Sequence, residues 1–268
     1  MRQERRGGFI LLCVVLTLVA VVLVGGNVAV IAVRGIKSLP ACLSEPETRF
    51  ALGLSVKSTC ISTFLCFLLA IPTAYTLTRI RLPGSRAVEI LLELTMSLPY
   101  IVLGLSMLIL FASPAGKWLK EAGFPVIFSR NGVILAQLAV NLPFAVKLCS
   151  SAFRAVDRKL ECVAGLLGAS PAQRFFTVLL PMSSCTLISA VILVWSRALG
   201  EFGATLMLVG VTRMKTETLP GSIYLAVSTN NLDAALASAF LLLVISALSL
   251  ALANFLGGDG RKRSRYVH

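Results

Sequence analysis

Asp157-Arg158-Lys159-Leu160-Glu161-Cys162-Val163-Ala164-Gly165-Leu166-Leu167-Gly168-Ala169-Ser170-Pro171-Ala172-Gln173-Arg174-Phe175-Phe176-Thr177-Val178-Leu179-Leu180-Pro181 is the stretch on which the organisation of the chain turns. Leu160, Val163, Ala164 and Leu167 recur at helical spacing and form one apolar stripe, while Arg158, Lys159 and Glu161 lie off it. Gly168 is a natural stop, because glycine accepts the left-handed backbone that ends helices. A second helix can begin at once: Ser170 is placed to cap it, Pro171 suits its first position, and Gln173 can close a capping box. The stretch predicts two short helices joined by a tight turn. The stripe needs a cover, which is the underside of the chain's own bundle, a lipid surface, or the groove of a partner.

On both sides of this stretch the chain is too apolar for a soluble domain. Of 268 residues, 57% are hydrophobic and 14% charged, and the mean hydropathy is +0.88. A bilayer core of about 30 Å takes roughly 20 apolar residues of helix. Six segments qualify: 9–33, 52–77, 87–111, 131–153, 178–209 and 232–256. The first is too long for the apolar core of a signal peptide and reads as a retained helix. The chain divides into an N-terminal tail with the first helix and an outer loop (1–51), a five-helix core that carries the loop 154–177 (52–256), and a basic tail (257–268).

Charge sets the orientation. With the N-terminus inside, the inner segments 1–8, 78–86, 154–177 and 257–268 hold 14 Lys and Arg, against eight in the outer loops. Both termini are therefore expected in the cytoplasm of a multi-pass inner-membrane protein. The net charge of +13 resides mostly between apolar runs, so Arg261-Lys262-Arg263-Ser264-Arg265 reads as a membrane flank and nucleic acid is not an expected partner. Seven cysteines form no CxxC, and the single histidine is His268, so neither a metal site nor a disulfide framework is expected. A phosphate-binding loop, H-E-x-x-H and a base beside any nucleophile are all missing, which argues against an enzyme and leaves no catalytic residues to name.

Polar residues inside the apolar segments are the other candidates for function. Arg197 and Glu201 are four apart and predict a pair on one helix face. Arg197 lies about 24 Å along the fifth helix from Pro181, in the outer part of the membrane. Such a pair serves as a structural bridge or as part of a gate. Gly200 and Gly203 permit close helix contact. Pro99 and Pro143 are expected to interrupt helices three and four. Glu93 and Lys147 stand at equal depth on neighbouring segments and predict an ion pair, while Lys57 is expected to snorkel. Pro99, Arg197, Gly200, Glu201, Gly203 and Thr205 are the candidate gate or pathway residues.

Two resemblances narrow this reading. Residues 157–181 resemble the conserved cytoplasmic loop of ABC importer permeases, with consensus Glu-Ala-Ala, three residues, Gly, then nine residues to Ile-x-Leu-Pro. Gly168 and Val178-Leu179-Leu180-Pro181 match, and Ala164 fits. Cys162 and Val163 depart from the pattern, and Glu161 sits one place early. Arg197-Ala198-Leu199-Gly200-Glu201-Phe202-Gly203-Ala204-Thr205, followed by Thr218-Leu219-Pro220 and Ile223-Tyr224, resembles the molybdate, tungstate and sulfate branch. Together they cover about residues 50–256. The resemblance implies an all-α bundle of six transmembrane helices with a cytoplasmic coupling helix. Leu160, Glu161, Cys162, Val163, Ala164, Leu167, Gly168 and Ala169 would engage an ABC ATPase subunit. It also implies a second copy of the chain in the lipid bilayer and a periplasmic or extracellular oxyanion-binding protein. ATP and Mg would be bound by the ATPase, and no cofactor by this chain. The cargo implied is molybdate or tungstate. Sulfate or thiosulfate is the alternative, and a non-transport membrane scaffold the more distant one.

Overall fold

The computed structural model describes residues 2–80 and 82–263; Ser264, Arg265 and His268 of the basic tail lie outside the described residues. Twelve α-helices are described: α1 (Arg2–Ser44), α2 (Pro46–Arg79), α3 (Ser85–Ser97), α4 (Tyr100–Ala112), α5 (Pro114–Glu121), α6 (Arg130–Arg154), α7 (Arg158–Leu166), α8 (Pro171–Arg174), α9 (Leu180–Leu199), α10 (Gly203–Val209), α11 (Leu219–Ser228) and α12 (Leu232–Arg263). A π-turn at Phe175–Leu179 joins α8 to α9, so 171–199 runs as one span. No strand is present among the described residues. Five helices are long and apolar enough to cross a membrane, and α3 with α4 makes a sixth if the bent pair counts as one span.

Three of the six expected spans differ in detail. The first is longer, running to Ser44. The third is not one helix: α3 and α4 meet at 110° across Leu98-Pro99. Pro99 has no N–H to give and pushes Leu98 into extended backbone (φ −72, ψ 140), so α3 stops there. The fifth also breaks. α9 ends at Leu199, and α10 begins only at Gly203. Pro143, by contrast, sits inside α6 without ending it, so no interruption occurs there. Hydroxyl caps fix other helix ends: the side chain of Ser129 accepts from Gly132 N, and that of Thr218 from Gly221 N.

The largest helix pair is α2 with α6. Small residues bring them together: Ala70, Ala74, Ala145, Cys149 and Ala152 are buried between them with Phe153. A polar seam runs along the same face, where Ser62 donates to Gln137 Oε1 at 3.2 Å. At the end of the bundle away from α7, a second core holds Met107, Val133, Val140, Ala204 and Leu208 of α4, α6 and α10. α12 packs on α9, α11 and α1, while the Ile10–Val30 face of α1 is bare.

Gly104 shows how closely α4 approaches α10. A Cβ there would lie 2.6 Å from both Cα and carbonyl O of Ala204, and these backbone atoms cannot yield. A Cβ on Gly53 would meet nothing within 4 Å. Gly104→Leu is expected to destabilise the folded protein in detergent by about 1–3 kcal/mol, the usual cost of overpacking. Gly53→Leu should leave it unchanged. Thermal unfolding of the two variants side by side checks the contrast.

Candidate functional site

Two regions collect the candidate residues, one at each end of the bundle. At the first, Asp157 caps α7 by accepting from Lys159 N at 2.9 Å. The helix ends where expected, with Gly168 at φ +91, a backbone state that any side chain would strain. Ser170 and Gln173 form the full capping box, so the two-helix reading of the loop holds. The apolar stripe is uncovered: Leu160 is 42% exposed and Val163 53%, while Leu166 and Leu167 reach 88% and 83%. Leu166 lies beyond the predicted stripe and is the barest of them. Ala164 and Ala169 are half-buried, and Cys162 is exposed. The chain's own bundle does not take the stripe in.

Glu161 turns away from that surface. Its Oε1 lies 2.7 Å from Nε of Arg79, the last residue of α2, and both side chains are largely buried (13% and 7% exposed). Arg79 also donates to the carbonyls of Phe153 and Val156, at 2.8 and 3.0 Å, where α6 ends. Arg158 donates to the carbonyl of Thr78. One guanidinium therefore ties the ends of α2 and α6 to the first turn of α7. Charge counting had given Arg79 only a role in topology. The signal missed was its place at the close of a span, where helix carbonyls go begging.

At the other end the bend between α3 and α4 abuts the interruption between α9 and α10. Pro99 delivers Tyr100 to the start of α4, and Gly203 starts α10 beside it: a Cβ on Gly203 would lie 3.3 Å from Tyr100 Cβ and Ile101 N. Pro99, Arg197, Gly200, Glu201, Gly203 and Thr205 are thus brought into one neighbourhood. The predicted Arg197–Glu201 pair does not form, because the helix they were to share ends between them. Glu201 is buried and caps α10 instead, accepting from Ala204 N at 2.8 Å, Thr205 N at 3.2 Å and the Thr205 hydroxyl. Arg197 is held by aromatic rings. Its Cζ lies 4.8 Å from the ring centre of Phe144 and 5.5 Å from that of Tyr100, whose hydroxyl it also contacts. Its Nε is buried without a partner.

Magnitudes explain how the arginine is tolerated. A charge in the membrane costs about 2.5–3.5 kcal/mol. Two desolvated cation–π contacts at about 2 kcal/mol each offset that. Rings do not neutralise a charge, however, so the guanidinium keeps its positive field. Among the described residues the ion pairs are Arg79–Glu161, Lys147–Glu93 and Arg154–Glu89, and Arg197 is in none of them. The Glu93–Lys147 pair forms as expected, at 3.9 Å, with both side chains more than half exposed. Sequence reasoning missed Phe144 and Tyr100 as partners, since nothing in spacing reveals which aromatic meets which cation.

Comparison with known proteins agrees with this architecture. Residues 66–258 match the family model described as binding-protein-dependent transport system inner membrane component. The molybdenum transport system permease protein ModB of Mycobacterium tuberculosis is 40% identical over 210 residues, 78% of this chain and 79% of that one. A probable molybdenum ABC transporter permease protein of Haloferax volcanii is 33% identical over 252 residues, 94% of this chain and 90% of its own. Among solved structures, a chain of the bacterial alginate ABC transporter has TM-score 0.70 at 14% identity, covering 96% of both chains; at that identity the likeness is one of fold.

The Arg79 joint makes a direct prediction. Arg79→Ala strands the buried Glu161 carboxylate and is expected to cost about 3–5 kcal/mol, as for other broken buried pairs. Exchanging both residues for methionine should cost less, because no charge is stranded, although the Phe153 and Val156 carbonyls still lose their donor. The loss should show as faster proteolysis of 155–170 in the purified protein, with the double variant between the single variant and wild type.

Proposed function

The chain belongs to the family of binding-protein-dependent transport system inner membrane components, and on that premise we propose that it forms the membrane path of an ATP-driven importer for a tetrahedral oxyanion, molybdate before others. Arg197 carries the reading: a guanidinium on an apolar span, walled by Phe144 and Tyr100, and in none of the ion pairs among the described residues. Such a group offers a passing dianion positive charge and, from its terminal nitrogens, N–H donors. The names of the Mycobacterium and Haloferax relatives point to molybdenum.

The rest of the mechanism follows from the family's binding-protein dependence and from the bared α7. The α7 end faces the cytoplasm, together with both termini, as the Lys and Arg bias supports. The exposed face of α7, with Cys162, Val163, Leu166 and Leu167, seats in a cleft of an ABC ATPase subunit, which binds the ATP and Mg. Glu161 is not part of that contact. It anchors α7 to Arg79, so a displacement of α7 is passed to the ends of α2 and α6 as one body. Two copies of the chain enclose the path. Closure of the ATPases draws the two α7 helices together and opens the far end, where the bend and the interruption meet, to a loaded binding protein. Arg197 is placed there to receive the anion. Affinity there is low, because a tight site would not release its cargo.

Two outcomes are expected from the reconstituted complex. Molybdate-loaded binding protein should raise ATP hydrolysis more than the sulfate-loaded form, and equal or reversed stimulation would reassign the cargo. Arg197→Gln should lower transport about tenfold or more, the value of one charge-assisted hydrogen bond. Adding Glu201→Gln to it should not restore transport, since the two residues do not neutralise each other; recovery in the double variant would return them to a structural pair. Separately, Ala164→Arg should abolish stimulation of the ATPase while leaving insertion intact, as judged by yield and monodispersity in detergent.

A further inference from the structure

Four charges near the α7 end are not used by this mechanism. Glu89 and Glu93 are four apart on α3 and form two rungs with Arg154 and Lys147 of α6, at 2.7 and 3.9 Å. Lys147 lies seven residues before Arg154, about 10 Å deeper into the bundle. All four side chains are between 42% and 67% exposed. Hydrocarbon cannot solvate such a face, because each charge would cost about 2.5–3.5 kcal/mol there. A cavity of about 340 Å³ opens between the rungs, lined also by Pro143, Ser150 and Ser151. In the single chain the face is open, and its charges suit water rather than lipid.

The carboxylate side of this ladder is loosely held. α3 has no buried residue. It is flanked by the 110° bend at Leu98-Pro99 and by Gly84 in the left-handed region at φ +88. On α6, Lys147, Ser150, Ser151 and Arg154 fall on one face at spacings of three, four and seven. Two cations with hydroxyls between them suit a tetrahedral dianion. The Glu93 carboxylate at 3.9 Å from Lys147 is in contact, but not in a hydrogen bond.

We propose that the α6 face of Lys147, Ser150, Ser151 and Arg154 is a release station for the transported oxyanion, and that Glu89 and Glu93 of α3 are carboxylate placeholders that occupy the two cations and displace the cargo toward the cytoplasm. The proposal rests on the oxyanion reading above. It explains why cations on an anion's exit route are neutralised: bare, they would retain a dianion, and paired, they hold it only in passing. The same chemistry would suit a lipid phosphate, and the test separates the two.

The probe is Ser151→Cys in the full complex, after the exposed Cys13, Cys60, Cys162 and Cys185 are replaced by alanine. The complex is reconstituted in a neutral phosphatidylcholine bilayer. A membrane-impermeant sulfonate thiol reagent should modify Ser151→Cys from the ATPase side, and molybdate should slow the modification. Lys147→Gln should abolish that protection. Glu93→Gln should strengthen it, with half-protection at about fivefold lower molybdate, the weight of a surface ion pair. No reaction with the sulfonate reagent would overturn the wet cavity. Reaction without molybdate protection, in a complex that transports molybdate, would overturn the station. Protection by added anionic lipid in place of molybdate would assign the site to a headgroup and overturn it equally. A wrong cargo shows itself elsewhere, in the stimulation assay with loaded binding proteins, while the reagent accessibility of Ser151→Cys stands unaffected.

Discussion

Hydrocarbon offers a peptide group no hydrogen bond, so a membrane helix can be broken only where protein or water closes over the break. That constraint organises this chain. One span is bent at Leu98-Pro99, another ends at Leu199 and restarts as the short α10 after Gly200-Phe202, and the two irregular stretches lie against each other, Gly203 beside Tyr100 and Ile101. Glu201 supplies the start of α10 with the acceptors its N–H groups lack. Gly104 lets the backbone of α4 come within reach of Ala204. The meeting point of the two stretches is also where the guanidinium of Arg197, in none of the ion pairs among the described residues, sits between Phe144 and Tyr100.

Much of this is legible in the chain before any coordinates, and the division is physical. The capping box at Ser170 and the stop at Gly168 depend on backbone chemistry within a few residues, and both appear as read. The apolar runs place five spans, and a sixth where the bent pair α3–α4 counts as one. They do not reveal whether a span is straight, because hydropathy records how long the chain stays in lipid and is blind to direction. Pro99 and Pro143 look alike in sequence. One stands in α6, where its neighbours absorb it, and the other ends a helix. The expected Arg197–Glu201 bridge fails for the same reason: a spacing of four means one face only if the helix continues. The bond from Arg79 to Glu161 spans 82 positions, and no local pattern announces it.

The two ends of the molecule use charge in opposite ways. At the α7 end, Arg79 is saturated, with a carboxylate and two carbonyls around it, and it behaves as a fastener. At the far end, Arg197 is surrounded by π-faces that bear its desolvation yet leave its field intact. The α3–α6 ladder lies between these extremes, with partners present but half in solvent. On the path proposed above, a dianion would meet first a cation outside any ion pair and then cations already engaged, which would give the path a direction in electrostatics alone.

The leucines at 166 and 167 have a further consequence. A helix that bares two large apolar side chains to water is adhesive until something covers it. Copies of this chain made in excess of their cover would cling to one another or to unrelated proteins and be cleared by proteolysis. If α7 docks as proposed, the soluble partner would set how many importers survive, and the stickiness of the docking helix would keep the membrane protein in stoichiometry with it.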